Sequence, residues 1–218
     1  MAKVTLENLN KIFVSKIGKD VKAVNDFNLL LEDGEILALL GSSGCGKTTT
    51  LRMIAGFETA TSGQIKIGER IVNDLKPADR NVAMAFEGYA LYPPLTVKDN
   101  IAFSLMREKI SKDKVDSKVM EVAELLEITD ILERYPPSIS GGQQQRVSLA
   151  RALVRDSDAL LLDEPMSQLE PQLRAVLRAR VKDYIQHNNK TVIFVTHDQT
   201  EAVALADKIA VMENGDLK

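Results

Sequence analysis

The stretch Gly41-Ser-Ser-Gly-Cys-Gly-Lys-Thr-Thr49 decides how the rest of this chain is arranged. It fits the pattern G-x-x-x-x-G-K-[ST], in which glycines let successive backbone N–H groups point at one phosphate. The apolar run 35–40 before it predicts a buried strand, and Lys47–Ala55 predicts a helix that stops at Gly56. We therefore expect a strand, a phosphate-binding loop and a helix N-terminus in succession. A plain glycine turn between a strand and a helix is the alternative interpretation.

The residues of this loop have separate expected roles. Lys47 is expected to reach the β- and γ-phosphates of a nucleotide, and the Thr48 hydroxyl to ligate Mg²⁺. The other predicted nucleotide contacts in the loop are Gly41, Ser42, Ser43, Gly44, Cys45, Gly46 and Thr49. Cys45 is the only cysteine, which excludes a disulfide within the chain and favours a reducing compartment. A thiol reagent at Cys45 is expected to block nucleotide binding sterically.

The composition is that of an ordinary globular protein. A length of 218 residues suffices for one large domain or two closely joined subdomains. The net charge of -3 gives no indication of a nucleic-acid-binding surface. No apolar run approaches the roughly 18 residues that a membrane span needs, and the first residues alternate like a strand and lack the apolar centre of a signal peptide. If the protein works at a membrane, we expect a partner to hold it there.

The segments around the loop predict an α/β fold. Val4–Phe13 and Val21–Leu31 predict two antiparallel strands joined by a turn at Gly18–Asp20. Short strands are predicted within residues 61–72, and Val82–Phe86 predicts another buried strand. The expected fold is therefore an α/β core that carries a small antiparallel sheet.

Residues 87–156 have a helical character that predicts a separate subdomain. Thr96 is expected to cap one helix and Ser111 another. After two prolines, the run Ser138-Ile-Ser-Gly-Gly-Gln-Gln-Gln-Arg-Val147 places Ser140 and two glycines at the start of a further helix. This helix start is a second potential phosphate-binding site.

Two predicted strands end in residues with catalytic chemistry. A short apolar strand ends in Asp163 and Glu164, and the strand over residues 191–196 is followed by His197. Ligands collect at the carboxyl ends of parallel strands, so Asp163 is expected to hold Mg²⁺ and Glu164 to orient or deprotonate a water. His197 is expected to contact a γ-phosphate. Phe13 is either a platform on which a base stacks or an ordinary core or edge aromatic.

These residues together resemble an ATP-binding-cassette (ABC) ATPase over nearly the whole chain. The most specific element is Ile139-Ser-Gly-Gly-Gln-Gln-Gln-Arg-Val147, which is similar to the family's signature LSGGQ and its continuation. In the resemblance, His197 matches the switch histidine and Phe13 the aromatic that stacks on adenine. Residues 78–84 and 89–93 are similar to the ATPase subunits of carbohydrate importers.

The resemblance implies a P-loop NTPase (RecA-like) core over residues 1–86 and 157–218, with an inserted helical subdomain over residues 87–156. It also implies a head-to-tail homodimer that binds ATP and Mg²⁺. Each nucleotide would lie between the loop of one chain and the signature of the other, whose contacts would be Ser140, Gly141, Gly142 and Gln143. Closing of the pair would drive transport, and hydrolysis would reopen it.

The expected partners and location follow from the same resemblance. The protein would lie in the cytoplasm, peripheral on the inner face of the cell membrane, with transmembrane permease subunits and an extracytoplasmic substrate-binding protein. Nucleic acid and direct insertion into the membrane are not expected. Residues 213–216 predict a hairpin turn with no returning strand. We therefore expect that the chain was shortened, or that a further C-terminal part such as the regulatory domain of the sugar importers is absent.

Three positions depart from the family pattern. Glu87 stands where the family has a glutamine near the metal and water, and we expect it to ligate Mg²⁺ and to change the Mg²⁺ dependence of turnover. The alternative is that glutamate simply replaces glutamine. Ser167-Gln-Leu-Glu170 stands where the family has S-x-L-D, and the longer Glu170 could weaken closure of the dimer. Ser42 replaces a frequent proline, which would leave the loop slightly less rigid.

Three functions remain open at this point. The first is an ATPase that drives import, with a carbohydrate as substrate. The second is a nucleotide-dependent dimer clamp with little turnover because of Glu87 and Glu170. The third is an ABC ATPase that acts on DNA or ribosomes, which is disfavoured by the single cassette, the lack of sustained heptads and the slightly acidic charge.

Overall fold

The computed structural model describes residues 2–15, 18–106, 108 and 110–218. The strands are β1 (Val4–Phe13), β2 (Val21–Leu31), β3 (Ile36–Gly41), β4 (Ser62–Ile67), β5 (Arg70–Ile71), β6 (Val82–Ala85), β7 (Ala159–Asp163), β8 (Val192–Thr196), β9 (Lys208–Glu213) and β10 (Asp216–Leu217). The α-helices are α1 (Lys47–Ala55), α2 (Val97–Phe103), α3 (Lys112–Leu125), α4 (Gly141–Leu153), α5 (Pro171–His187) and α6 (Gln199–Leu205). The predicted α/β class is confirmed.

The central sheet has six strands in the order β10-β9-β3-β8-β7-β6. The five strands from β9 to β6 are parallel, and only β10 pairs antiparallel. The inner strands are apolar because helices cover both faces of a parallel sheet. Leu40 pairs with Thr196, and Asp163 pairs with Val195. The carboxyl ends of β3, β7 and β8 therefore meet at one edge, where a ligand is expected to bind.

A second sheet covers one side of this core. It is antiparallel, with the strand order β2-β1-β4-β5. Fully buried residues of this sheet, including Leu9 and Phe27, share one apolar cluster with Leu51 and Ile54 of α1. The predicted pairing of β1 with β2 is confirmed. This packing fixes the helix that follows the phosphate loop against the sheet.

Helices α2, α3 and α4 lie in the chain between β6 and β7. Their apolar faces join the core of the parallel sheet in a single cluster that includes Val119, Val122 and Val147. The Thr96 side chain caps α2 by accepting a hydrogen bond of 3.1 Å from Asp99 N, as predicted. Ser111 stands at the N-cap position of α3, but its side chain makes no capping hydrogen bond. The division into a core and a helical subdomain stays a prediction.

Two features near the C-terminal end differ from expectation. The turn after β9 does have a returning strand, since β10 pairs Asp216 with Glu213 and Leu217 with Met212. Helix α6 was not predicted, because Asp198 directly follows His197 and was not recognised as a helix start. Its N-cap Asp198 accepts hydrogen bonds from Thr200 N and Glu201 N at 2.8 and 3.2 Å. Among the described residues, no helix has the length and apolar character that crossing a membrane requires.

Candidate active site

A cleft of about 680 Å³ opens at the edge where β3, β7 and β8 end. Its lining residues are Ala23, Ser43, Gly44, Gly46, Lys47, Thr48, Thr49, Glu87, Glu164, Ser167, Gln168, Val195 and His197. Nine of these residues are ones for which the sequence predicts a contact with nucleotide or metal. The cleft therefore brings together side chains that lie far apart in the chain.

The phosphate loop takes its shape from two glycines. Gly44 and Gly46 have φ values of 80° and 108°, in the left-handed region that favours glycine. A Cβ on Gly46 would collide with the carbonyl oxygen of Ala23. The loop therefore lies closer to its neighbours than any other residue type would allow, and its backbone N–H groups can turn toward one point.

Lys47 is the first residue of α1 and is almost fully buried. Its ammonium group donates hydrogen bonds to Gly41 O at 2.8 Å and Ser42 O at 2.9 Å. It also lies 3.8 Å from the sulfur of Cys45, whose side chain is buried. The lysine charge is thus held inside the loop at the positive end of a helix, an arrangement that favours an anion.

Thr48 and Asp163 connect the loop to the end of β7. The Thr48 hydroxyl donates a hydrogen bond of 2.9 Å to Asp163 Oδ1. Burial raises the pKa of the Asp163 carboxyl; the hydrogen bond from Thr48 opposes this change, and the negative charges of Glu87 and Glu164 reinforce it. Several acidic groups thus converge around a threonine hydroxyl, and a cation would relieve their mutual repulsion.

The oxygen ligands around Thr48 suit Mg²⁺ better than they suit a metal ion that is held by protein ligands alone. Within the described part of the chain, no group of three or more His, Cys, Asp or Glu residues is arranged to hold a metal ion. Mg²⁺ usually takes one or two carboxylates together with waters and substrate phosphates. Thr48, Asp163 and Glu87 supply hard oxygen donors of this kind beside the phosphate loop.

Glu164 and His197 form the polar pair on the other side of the cleft. His197 Nδ1 lies 3.0 Å from Glu164 Oε1. This hydrogen bond, together with the glutamate charge, raises the pKa of His197 above its ordinary value. The imidazole is 67% exposed, so its second nitrogen can reach a ligand in the cleft. Glu164 itself has a φ of 50°, a left-handed conformation that is unfavourable for a residue with a Cβ.

The signature segment has the predicted helix-start geometry but lies outside this cleft. Ser140 is the N-cap of α4, and its hydroxyl accepts a hydrogen bond of 3.3 Å from Gln143 N. The Gln143 side chain in turn accepts one of 2.9 Å from Ser140 N, which completes a capping box. Gly141 and Gly142 form the first turn. These four residues do not line the cleft of their own chain. Their action on a second chain stays a prediction.

Other predicted site residues lie at the margin. Gly41, Ser42 and Cys45 belong to the loop but do not line the cleft. Phe13 ends β1, is 41% exposed and has the Lys11 ammonium 4.7 Å from its ring centroid. It too is absent from the cleft lining. Its role in stacking on a base therefore stays a prediction.

Two groups of residues in or behind the cleft were not predicted from the sequence. Ala23 and Gln168 line the cleft, although no residue pattern marks them. Gln145 is buried beneath the loop that carries Glu164. The sequence contains no signal for Gln145, because the burial of its amide, which requires hydrogen-bond partners, follows from tertiary packing.

Comparison with known proteins gives a consistent result. The family model described as "ABC transporter" matches residues 24–167. The trehalose/maltose import ATP-binding protein MalK of Thermococcus litoralis is 49% identical over 224 residues and covers 100% of this chain. The sn-glycerol-3-phosphate import ATP-binding protein UgpC of Ruegeria pomeroyi is 46% identical over 99% of the chain, and the xylose/arabinose import ATP-binding protein XacK of Haloferax volcanii is 43% identical over 100%. The chain spans only 57–60% of the length of these three relatives.

A solved structure shares the fold. The dimeric, post-hydrolysis structure of the ATP-binding cassette MJ0796 bound to ADP and Pi matches with a TM-score of 0.90 and 28% identity. The match covers 99% of this chain and 96% of that one. The arrangement of the sheets and helices in the described residues is thus that of an ATP-binding cassette.

Proposed function

The chain belongs to the ABC transporter family, and we propose that it is an ATP-binding and ATP-hydrolysing subunit that powers import, with a carbohydrate or a related polyol phosphate as the transported substrate. The observation that carries this proposal is that Lys47, Thr48, Glu164 and His197 line one cleft. The Thr48 hydroxyl ties Asp163 to the same place by a hydrogen bond of 2.9 Å. The set is complete for transfer of a phosphoryl group to water. The relatives named as import proteins support the direction and the substrate class.

The loop and its helix form the nucleotide-binding half of the proposed site. The N–H groups around Gly44 and Gly46 would surround the phosphates of ATP, and Lys47 would neutralise their charge. Thr48, Asp163 and Glu87 would hold Mg²⁺, which would supply charge neutralisation at the terminal phosphates when bound. Phe13 is proposed to stack on the adenine.

Glu164 and His197 form the catalytic half. We assign to Glu164 the orientation of the attacking water and acceptance of its proton. In a protonated imidazole both ring nitrogens are donors, so His197 would donate through Nδ1 to Glu164 and through Nε2 to the γ-phosphate. The raised pKa of His197 extends this doubly donating form to higher pH than for an ordinary histidine. The pair would thus hold the carboxylate and the terminal phosphate in fixed relation.

A second copy of the chain completes each site in this proposal. Ser140, Gly141, Gly142 and Gln143 of one chain would cover the γ-phosphate held by Lys47 of the other. Two features support this arrangement. The start of α4 presents the N–H groups of Gly141 and Gly142, which the capping box does not use, at the positive end of its dipole. The similar cassette MJ0796 is dimeric in its solved structures. Closure of the dimer on ATP and its reopening after hydrolysis would be the motion that drives transport.

A groove of about 320 Å³ offers a place for the membrane-spanning partner. It lies between the loop after Glu87, helix α2 and helix α4. The partly exposed rings of Tyr92 and Phe103 pack there at 4.7 Å between centroids, and exposed Met106 lies beside them. An apolar groove with a polar rim suits a helical segment of a permease subunit. The protein would then be held at the inner face of the membrane by this partner, and an extracytoplasmic binding protein would deliver the substrate.

A nucleotide-dependent clamp with little turnover is the second candidate function. It is favoured by Glu87, which adds a negative charge to the cleft, and by Glu170, which ends the loop next to Ser167 and Gln168. Repulsion between Glu87 and a triphosphate would slow turnover in the absence of enough Mg²⁺. The two functions agree on binding and dimer closure and differ in the rate of hydrolysis.

Steady-state release of phosphate separates the two functions. The ATPase proposal predicts turnover by the wild-type chain, alone or with its permease subunits, and its loss in Glu164→Gln. The exposed Glu124 on α3 provides a matched control, because Glu124→Gln removes the same charge far from the cleft. Wild-type turnover no faster than that of Glu164→Gln, with ATP still bound, would leave the clamp as the function.

A further inference from the structure

Gln145 joins the signature helix to the loop that carries the catalytic glutamate. It lies in the second turn of α4, and only 3% of its surface is exposed. Its side-chain amide donates a hydrogen bond of 2.9 Å to the carbonyl oxygen of Glu164 and one of 3.1 Å to Ser167 Oγ. Its carbonyl oxygen accepts one of 2.9 Å from Gln168 N. One buried side chain thus makes three hydrogen bonds to residues 164–168.

These hydrogen bonds restrain the backbone of Glu164, which has an unfavourable conformation. Glu164 adopts a left-handed φ of 50°, and such a conformation persists only where the surroundings over-determine it. Its carbonyl oxygen also accepts a hydrogen bond of 3.2 Å from Ser167 Oγ, and its N–H donates one of 3.1 Å to Val195 O. Among the described residues of the helical segment between β6 and β7, only Gln145 makes a hydrogen bond to Glu164.

The helix that carries Gln145 also carries the proposed contact to the second nucleotide. Ser140 caps α4 five positions before Gln145, and the capping box fixes this first turn. A regular α-helix transmits a small displacement at its start to the following turn. A shift of the Ser140 end would therefore reach the carbonyl oxygen of Glu164 through a single side chain.

We propose that Gln145 is a positioning residue that holds the Glu164 carboxylate in its reactive orientation and ties that orientation to the placement of the signature helix. This inference rests on the proposed ATPase function. The Gln145 side chain does not line the cleft and would act through the backbone of Glu164. Its loss should therefore lower kcat without weakening ATP binding.

Two variants disrupt the contacts of Gln145 in different ways. Gln145→Met keeps the length of the side chain and removes all three hydrogen bonds. Gln145→Glu keeps an acceptor for Gln168 N and places a second oxygen against the carbonyl oxygen of Glu164. Gln186 is exposed on α5 and has no role in the cleft, so Gln186→Met is the matched control. Each variant is assayed for kcat, KM for ATP and ATP affinity, and the His197 ring is titrated by NMR.

We expect kcat to fall by roughly 100-fold in both Gln145 variants, as for a misplacement of about 1 Å at a reacting group. We expect KM and ATP affinity to stay within about twofold of wild type. The pKa of His197 should fall toward its ordinary value, because displacement of Glu164 weakens their hydrogen bond. A general loss of folding would instead lower ATP affinity and the melting temperature together.

The outcomes that overturn the inference are distinct. A wild-type kcat in Gln145→Met would show that the contact does not position Glu164. A lower kcat with an unchanged His197 titration, or with a matching loss of ATP affinity, would show a structural role only. Absence of turnover in the wild-type chain with its permease subunits would overturn the proposed function instead, and the His197 titration would still decide whether Gln145 holds Glu164.

Discussion

The imidazole of His197 and the carboxylate of Glu164 meet at 3.0 Å although 33 positions separate them in the chain. Each residue directly follows a strand of the central sheet, and the two strands β7 and β8 are parallel neighbours. The sheet therefore brings a carboxylate and an imidazole to one edge. The contact between the two side chains can therefore be tested by titrating His197 with pH.

The pKa of His197 should depend on Glu164. The hydrogen bond to the carboxylate raises this pKa, so the Glu164→Gln variant should shift it down toward about 6.5. The chain has only two histidines, and a His187→Gln variant therefore assigns the NMR signals. The protonated ring stabilises the fold below its unfolded pKa, and this contribution is lost as the pH rises through the folded pKa. An equal pKa in wild type and Glu164→Gln would show that the hydrogen bond is absent in solution.

Removal of the Lys47 ammonium should weaken ATP binding strongly. Hydrogen bonds to charged groups contribute about 1.5–3 kcal/mol each, so the affinity of Lys47→Ala should fall by roughly 10- to 150-fold or more. Its two acceptors Gly41 O and Ser42 O would also lose their donor. Isothermal titration calorimetry measures the effect, with exposed Lys114→Ala as the control. Equal affinities of Lys47→Ala and wild type would remove the phosphate-loop assignment.

The Glu87→Gln variant should need more Mg²⁺ for half-maximal turnover. Glu87 contributes to the raised pKa of Asp163, and a carboxylate that repels Asp163 attracts a cation at the same place. At an effective dielectric constant near 20, unit charges about 4 Å apart interact by about 4 kcal/mol. Screening by water and phosphate should reduce this to a roughly three- to tenfold shift. Superimposable Mg²⁺ titrations of Glu87→Gln and wild type would mean that glutamate simply replaces glutamine.

Modification of Cys45 should prevent ATP binding. The Cys45 sulfur is buried in the loop, 3.8 Å from Lys47 Nζ. Gly41 packs against this sulfur so closely that a Cβ on Gly41 would collide with it. An added maleimide group would therefore displace Lys47 or the loop. Fluorescent nucleotide binding before and after treatment with N-ethylmaleimide measures this, and Cys45→Ser should bind ATP and resist the reagent. Full binding by the quantitatively modified wild type would contradict the loop geometry.

The fold was largely predictable because its strongest signals are local. The apolar run over β3, the glycine-lysine turn and the left-handed Gly56 at the end of α1 need no distant contacts to be recognised. The proximity of Glu164 and His197 was predictable because residues that follow parallel strands share one edge of the sheet. Helix α6 was missed although α2, which also has seven residues, was predicted. The Thr96 cap of α2 was recognised as a helix start, and the Asp198 cap of α6 was not.

The remaining parts of the site could not be read from local patterns. The three partners of Gln145 lie 19 to 23 positions away in the chain, and they depend on how α4 packs on the sheet. Ala23 lines the cleft because β2 packs against the phosphate loop, and the carbonyl oxygen of Ala23 lies close to Gly46. Contacts of this kind follow from tertiary packing, and no residue type signals them in advance.

The central claim is that ATP bridges two copies of this chain between the phosphate loop of one and the signature helix of the other. A structure of the Glu164→Gln variant with ATP and Mg²⁺ tests it most directly, because this variant should bind ATP without hydrolysing it. We predict a dimer in which Ser140 Oγ of the partner subunit lies about 3 Å from an oxygen of the γ-phosphate held by Lys47. A structure in which ATP occupies the cleft of a single chain, with Ser140 of every copy remote from any γ-phosphate, would contradict the account.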